Sequence, residues 1–150
     1  MEPVESIKEA NEHVLDSLTG LALELWPDNE FNELRTEFKQ LLHSEKDKVF
    51  VYLMHAKLIA FIHISIRNDY VEGSHKSPTG FVEGIYVEPE YRKKGISKKL
   101  IEKGESWLKT KGCSQIGSDI EQSNDTSYHF HKSVGFKEVN RLIAFIKEIE

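Results

Sequence analysis

Residues 81–100, reading FVEGIYVEPEYRKKGISKKL, hold the densest chemistry in the chain. An apolar strand runs into the basic turn Arg92-Lys93-Lys94, and Gly95 then opens a helix. Free backbone N–H groups and the helix dipole at such a start bind phosphate. A glycine there lets the backbone approach a diphosphate that a Cβ would obstruct, and the basic side chains add charge where the anion would lie. The same strand carries Glu83 among apolar neighbours. A carboxylate in that setting is costly unless it faces a cleft or a partner. Asp119, at the end of a later strand, is the second carboxylate placed to bind a cation or take a proton. Neither a P-loop nor a dinucleotide fingerprint is present, which removes nucleoside-triphosphate and nicotinamide readings.

Other chemistries fall away on residue counts. Cys113 is the single cysteine, so a disulfide framework and a cysteine-based metal site within one chain are excluded. It reads as packed rather than nucleophilic, because no His–Asp arrangement surrounds it in sequence. Of the seven histidines, His129 and His131 are two apart, on different faces of a helix, and His63 and His75 lack ligand spacing. No metal is expected. The formal charge is -5, yet residues 92–103 carry six basic residues against the single acid Glu102. An acidic protein with one basic island suits an anionic ligand at one place and a cationic one elsewhere. The island is too short and local for nucleic acid. No apolar run approaches a bilayer span, and the N-terminus lacks the pattern of an export signal, so the expectation is a cytoplasmic protein.

The elements that must position these groups follow from periodicity. Residues 6–25 have helical spacing and stop at Pro27, and residues 31–42 repeat it. Residues 49–54 and 58–67 are β-rich and read as a hairpin, followed by a loop over 68–79. Residues 80–87 form a strand, 95–111 a helix closed by Gly112, 115–119 a short strand, and 124–134 a helix ended by Gly135. Residues 136–139 and 141–146 are expected as a last pair of strands. The 150 residues fit one domain spanning 1–150, with mixed α/β order.

Arg92-x-x-Gly95-x-Ser97 resembles the pyrophosphate loop of the GNAT acetyltransferases, with Ser97 departing from the usual Gly or Ala. Downstream, Asn124 opening a helix, Ser127, Phe130-His131 and Gly135-Phe136 are similar to the second signature of that family. Asp69-Tyr-Val-Glu-Gly, Ser77-Pro-Thr-Gly, Val82-Glu-Gly-Ile-Tyr-Val, Gly104-Glu-Ser-Trp, Gly112-Cys and Gly117-Ser-Asp resemble successive blocks of the aminoglycoside 6'-N-acetyltransferases, and Leu25-Trp-Pro fits as well.

The resemblance implies an α/β (α+β) GNAT fold, a mixed central sheet flanked by about four helices. It implies acetyl-CoA as cosubstrate, an aminoglycoside antibiotic as acceptor and a homodimer. Ile85, Tyr86, Val87, Arg92, Lys93, Lys94, Gly95, Ile96, Ser97, Lys98 and Asn124 would hold the cofactor. Trp26, Tyr70, Glu72, Glu83 and Asp119 would line the antibiotic cleft, giving carboxylates for ammonium groups and an aromatic face for a sugar-like ring. Glu83 or Asp119 would take the amine proton, directly or through water. The Val87 backbone N–H would hold the oxyanion, and His131 would protonate the departing thiolate or contact the cofactor. An acidic cleft also serves polyamines, and a CoA-binding sensor without turnover is the reading from another class.

Overall fold

The computed structural model describes residues 4–150. Five strands form one sheet in the order of the chain: β1 (Glu5–Glu9), β2 (Asp47–Met54), β3 (Lys57–Arg67), β4 (Thr79–Val87) and β5 (Ile116–Gly117). The first four are antiparallel neighbours, and β5 returns parallel to β4 after a helical crossover. The helices are α1 (Leu15–Leu25), α2 (Phe31–Leu42), α3 (Ile96–Thr110) and α4 (Asp125–Ser133).

Strand alternation divides the core into two layers. Phe50, Tyr52, Ile62 and Ile64 face α3, where Ile96, Leu100, Ile101 and Leu108 present a helical stripe. Val49, Val51 and Phe61 face the other way, against Leu15, Leu18, Leu21 and Ala22 of α1 and Leu34 and Phe38 of α2. Burial on both faces explains why β3 reads as an almost unbroken apolar run. It also makes the polar residues that interrupt that run, His63, Ser65 and Arg67, informative.

Three expectations are corrected. The helical pattern over residues 6–25 begins too early: Glu5–Glu9 is a strand, and the helix starts only at Leu15. Ile7 pairs with Tyr52, and the Tyr52 hydroxyl donates to Glu5. The partner strand supplies ladder bonds that a helical period in the sequence does not register. Burial, then the Glu5 carboxylate, pushes the Tyr52 phenol up to about 12. The second correction is at the C-terminus. Residues 136–150 form no strand. Beyond Gly117 the chain leaves the sheet, so β5 offers only a two-residue edge to any further strand of its own chain. Val139 lies against Gly73 and Asn140 donates to Glu72 at 3.1 Å. After them Leu142, Ile143, Phe145, Ile146 and Ile149 stand in solvent. The strand expected over 115–119 shortens to Ile116–Gly117.

Candidate active site

Two features of β4 organise the site. At its start it is paired on both sides, with β3 and with β5, but β5 pairs only Gly80 and Phe81. From Val82 onward the β5 side of the strand is open. The Glu88 N–H donates to the Ile59 carbonyl at 2.9 Å, and hydrogen-bonded and non-hydrogen-bonded pairs alternate along an antiparallel ladder. The neighbouring pair, Ala60 and Val87, therefore turns the Val87 N–H away from β3, toward the open side. The Val87 carbonyl confirms the direction by accepting from Arg92 Nε at 2.8 Å, and two residues earlier Ile85 shares this orientation. An open strand edge with unpaired backbone groups suits an amide-bearing chain laid along it.

The second feature is the bulge at Glu83. The register passes from His63 opposite Gly84 to Ile64 opposite Val82, leaving Glu83 as the extra residue. Its Oε1 accepts from Ser65 Oγ at 2.7 Å and from Arg67 Nη2 at 2.7 Å. The Arg67 guanidinium is itself stacked 3.5 Å over the Phe81 ring. Ser65 and Arg67 were not singled out in the sequence. Their signal is the period-two polar stripe His63, Ser65, Arg67 within an apolar strand.

Glu83 opens into a cleft of about 580 Å³, between α2 and the sheet face, lined also by Trp26, Asn29, Glu37, Gln40, Ser44 and His63. Pro27 disfavours a helical conformation at the preceding residue, so α1 stops and Trp26 takes φ -123°, ψ 71°. Its indole then lies over Gly84, where a Cβ would sit 2.5 Å from the ring. Gly84 is the gap that admits Trp26 to the cleft wall.

At the far end of β4, the turn reaches α3 through Gly95, whose φ of +80° is left-handed. A Cβ at Gly95 would meet nothing within 4 Å. The space before the helix is open, α3 has no side-chain cap, and no acid lies in its first turn. Arg92, Lys93, Lys94 and Lys98 surround that end. These residues fit a diphosphate. Ile96 is buried, so only its backbone could reach a ligand. The Arg92 guanidinium lies 5.2 Å from the centre of the Tyr86 ring. Burial, then the Glu24 carboxylate, raises the Tyr86 phenol, against the opposing effect of Arg92.

On the α4 side, Asn124 Oδ1 caps the helix by accepting the Ser127 N–H at 3.1 Å, leaving the amide nitrogen available. His131 Nδ1 lies 2.7 Å from the Ser127 carbonyl, which can only accept. That places the proton of the neutral ring on Nδ1 and makes Nε2 the acceptor for Ser118 Oγ at 2.7 Å. Asp119, exposed, makes no hydrogen bond or ion pair among the described residues. Tyr70 is 74% exposed, and Tyr70, Glu72 and Asp119 all fall outside the cleft lining, which of the expected substrate residues holds only Trp26 and Glu83.

Cys113 is buried, and that burial raises its thiol. Among the described residues no three histidine, cysteine or acidic side chains converge as a metal site, and no helix is long and apolar enough to cross a membrane.

An open strand edge beside a glycine-opened, basic helix start suits a diphosphate-bearing acyl carrier such as acyl-CoA. Residues 12–136 match the Acetyltransferase (GNAT) family. Aminoglycoside N(6')-acetyltransferase type 1 of Acinetobacter genomosp. 13 is 35% identical, covering 96% of this chain and 99% of that protein. The protein of the same name from Salmonella typhimurium is 34% identical over 94% of this chain and 97% of its own length. Among solved structures, AAC(6')-Iy in complex with the bisubstrate analogue CoA-S-monomethyl-acetylneamine superposes with a TM-score of 0.92 at 32% identity, covering 97% of this chain and 99% of that one. The chain belongs to the GNAT acetyltransferases and, within them, to the aminoglycoside 6'-N-acetyltransferase family.

Proposed function

We propose that this enzyme transfers the acetyl group of acetyl-CoA to the 6'-amine of an aminoglycoside by direct attack in a ternary complex, and so confers resistance. The observation that carries the reading is the pairing of two sites on one strand. An acidic, Trp26-walled cleft opens at Glu83, and an anion-binding helix start follows the open edge at Val87. Bound acetyl-CoA supplies the thioester.

The chain's own residues divide the remaining work. Ile85, Tyr86 and Val87 offer the open strand edge, and the α3 start with Arg92, Lys93, Lys94, Gly95, Ser97 and Lys98 holds the diphosphate. Asn124 holds the adjoining arm with its free amide nitrogen. Glu83 attracts a substrate ammonium, and the Trp26 indole packs on an apolar ring face. An amine with a pKa of about 9 to 10 reaches the site mostly protonated. Asp119, unencumbered, is the better proton acceptor, because Glu83 is already engaged by Ser65 and Arg67. As the new N–C bond forms and the C–S bond breaks, the Val87 N–H stabilises the charge gathering on the carbonyl oxygen. His131 protonates the departing thiolate, relaying through Ser118 Oγ when its Nε2 carries a proton.

Tyr70 and Glu72 complete the antibiotic site in this reading, from outside the cleft lining of a single chain. The exposed apolar residues after Val139 support a homodimer. The chain acts as a single cytoplasmic domain of residues 1–150, without a metal, nucleic acid or membrane as partner. Glu37 beside Glu83 keeps a linear polyamine as the second reading.

Thiol release from acetyl-CoA is the deciding assay, run with kanamycin A, with a derivative lacking the 6'-amine, and with spermidine. Release with kanamycin that vanishes with the derivative establishes the reaction and its position. A higher kcat/KM on spermidine would overturn the antibiotic reading in favour of the polyamine.

A further inference from the structure

The cleft holds one more organised polar pair, which the acetyl transfer leaves unused. His63 sits on β3 between Val49 of β2 and Gly84 of β4, and Asp47 is the first residue of β2. His63 Nε2 lies 2.8 Å from Asp47 Oδ1, and only 12% and 18% of the two side chains are exposed. An ionised carboxylate only accepts, so Nε2 carries the proton and donates. Asp47 Oδ2 accepts from Ser44 Oγ at 2.8 Å, and Ser44 Oγ accepts the Lys46 N–H at 3.2 Å. This chain of bonds fixes both the plane and the tautomer of the imidazole.

The consequence lies at the other nitrogen. Nδ1 of the neutral ring is an acceptor, and it has no hydrogen-bond partner among the described residues. No fully buried side-chain nitrogen or oxygen among the described residues lacks a partner, so this unpartnered atom keeps some access to solvent. His63 and Ser44 line the same cleft as Trp26, Glu37 and Glu83. His63 stands opposite Gly84, and Val87 lies three residues further along the strand, about 10 Å away at the usual rise. That separation is too great for His63 to take a proton from an amine reacting beside Val87. It is the distance at which a second ring of the same substrate would lie.

We propose that His63, held by Asp47, is a specificity-determining residue whose Nδ1 accepts a hydrogen bond from an ammonium or hydroxyl group on a ring remote from the reacting amine. The proposal rests on the aminoglycoside reading and adds a contact that distinguishes a multi-ring acceptor from a short one. A pair that merely tied β2 to β3 would alter melting and leave substrate affinity unchanged.

The test is steady-state kinetics with kanamycin A for the wild type and for His63→Gln, His63→Asn and His63→Leu. Glutamine keeps a donor toward Asp47 and offers nothing at the Nδ1 position, whereas asparagine places an acceptor oxygen there. The Gln and Leu variants are expected to raise KM for kanamycin about tenfold, equivalent to ~1.4 kcal/mol. Their kcat and their KM for acetyl-CoA stay at wild-type values, and Asn restores most of the affinity. If Leu fails to fold, Gln and Asn decide between them. An unchanged kanamycin KM in His63→Gln, or a loss confined to kcat, overturns the proposal alone. A wild-type protein inert toward kanamycin overturns the substrate reading and this proposal with it.

Discussion

Glu83 and Asp119 differ in what already holds them. Glu83 is fixed by Ser65 and Arg67, while Asp119 is exposed and without a partner among the described residues. Their neutral variants should therefore fail in different ways. Asp119→Asn removes the proposed proton acceptor and is expected to lower kcat by about 10²–10⁴-fold with little change in KM. Glu83→Gln leaves the Arg67 cation facing a cleft meant for a cation. It should raise the aminoglycoside KM about tenfold or more, the scale of a lost charged hydrogen bond, with a smaller effect on kcat. Equal losses of kcat in both variants would reverse the assignment. The buried Cys113 thiol, pushed up by desolvation, is expected to stay unlabelled by an aromatic disulfide reagent at neutral pH until denaturant is added. Rapid native labelling would contradict the packed reading. Glu83 was legible in sequence because an isolated charge inside an apolar strand demands a reason. Ser65, Arg67 and the His63–Asp47 pair were not, since their meaning depends on which face of β3 they share and what crosses it.

The elements show the same division between local and non-local information. Residues 31–42 were expected as a helix and form one with the same limits, because Glu30 accepts the Asn32 and Glu33 N–H groups at 3.0 and 2.9 Å and the apolar face closes on the core. Pro27 set the end of α1, and Gly95 the start of α3, by rules confined to one or two residues. The strand Glu5–Glu9 escaped because its reason for existing is β2, some forty positions away along the sequence. Gly84 is a similar case: an ordinary strand glycine until Trp26 is seen over it. Adding a methyl there would place carbon 2.5 Å from the indole and push the ring from the cleft wall. Gly84→Ala is thus expected to raise the aminoglycoside KM several-fold, about 1 kcal/mol of lost aromatic packing. Its KM for acetyl-CoA should be unaffected, because the helix start beyond Gly95 is not touched. A parallel rise in both constants would mean that the strand itself had shifted.

Taken as one body, the molecule is acidic with a basic end, packs helices on both sheet faces, and leaves an apolar stretch exposed after Val139. Leu142, Ile143, Phe145, Ile146 and Ile149 are 71% to 98% exposed in one continuous stretch. A lone protein in water gains by burying such a run, at roughly 25 cal/mol per Å² of apolar surface, and isolated exposed strands have no ladder to satisfy their backbone. The sequence reading that made residues 136–139 and 141–146 strands answered to a real apolar run; what it could not supply was the neighbour to pair with. Within its own chain, the sheet ends at the two residues of β5. A second copy provides both an edge and an apolar surface, which is the physical basis for proposing a homodimer. Sedimentation equilibrium should then give twice the 17.3 kDa of the chain. Replacing Ile143 and Phe145 with lysine should return the monomer, while far-ultraviolet circular dichroism keeps the helix signal of α1 to α4. Neither side chain contributes to the core clusters, so the double substitution leaves the fold intact. If the double variant remains dimeric, the tail is not the contact; if the wild type is already monomeric at micromolar concentration, the homodimer proposal fails. Turnover by the monomeric variant carries a further distinction. Tyr70 and Glu72 lie outside the cleft of a single chain, so an acceptor KM that rises on dissociation, with the acetyl-CoA KM unmoved, would place them at a site completed by the partner.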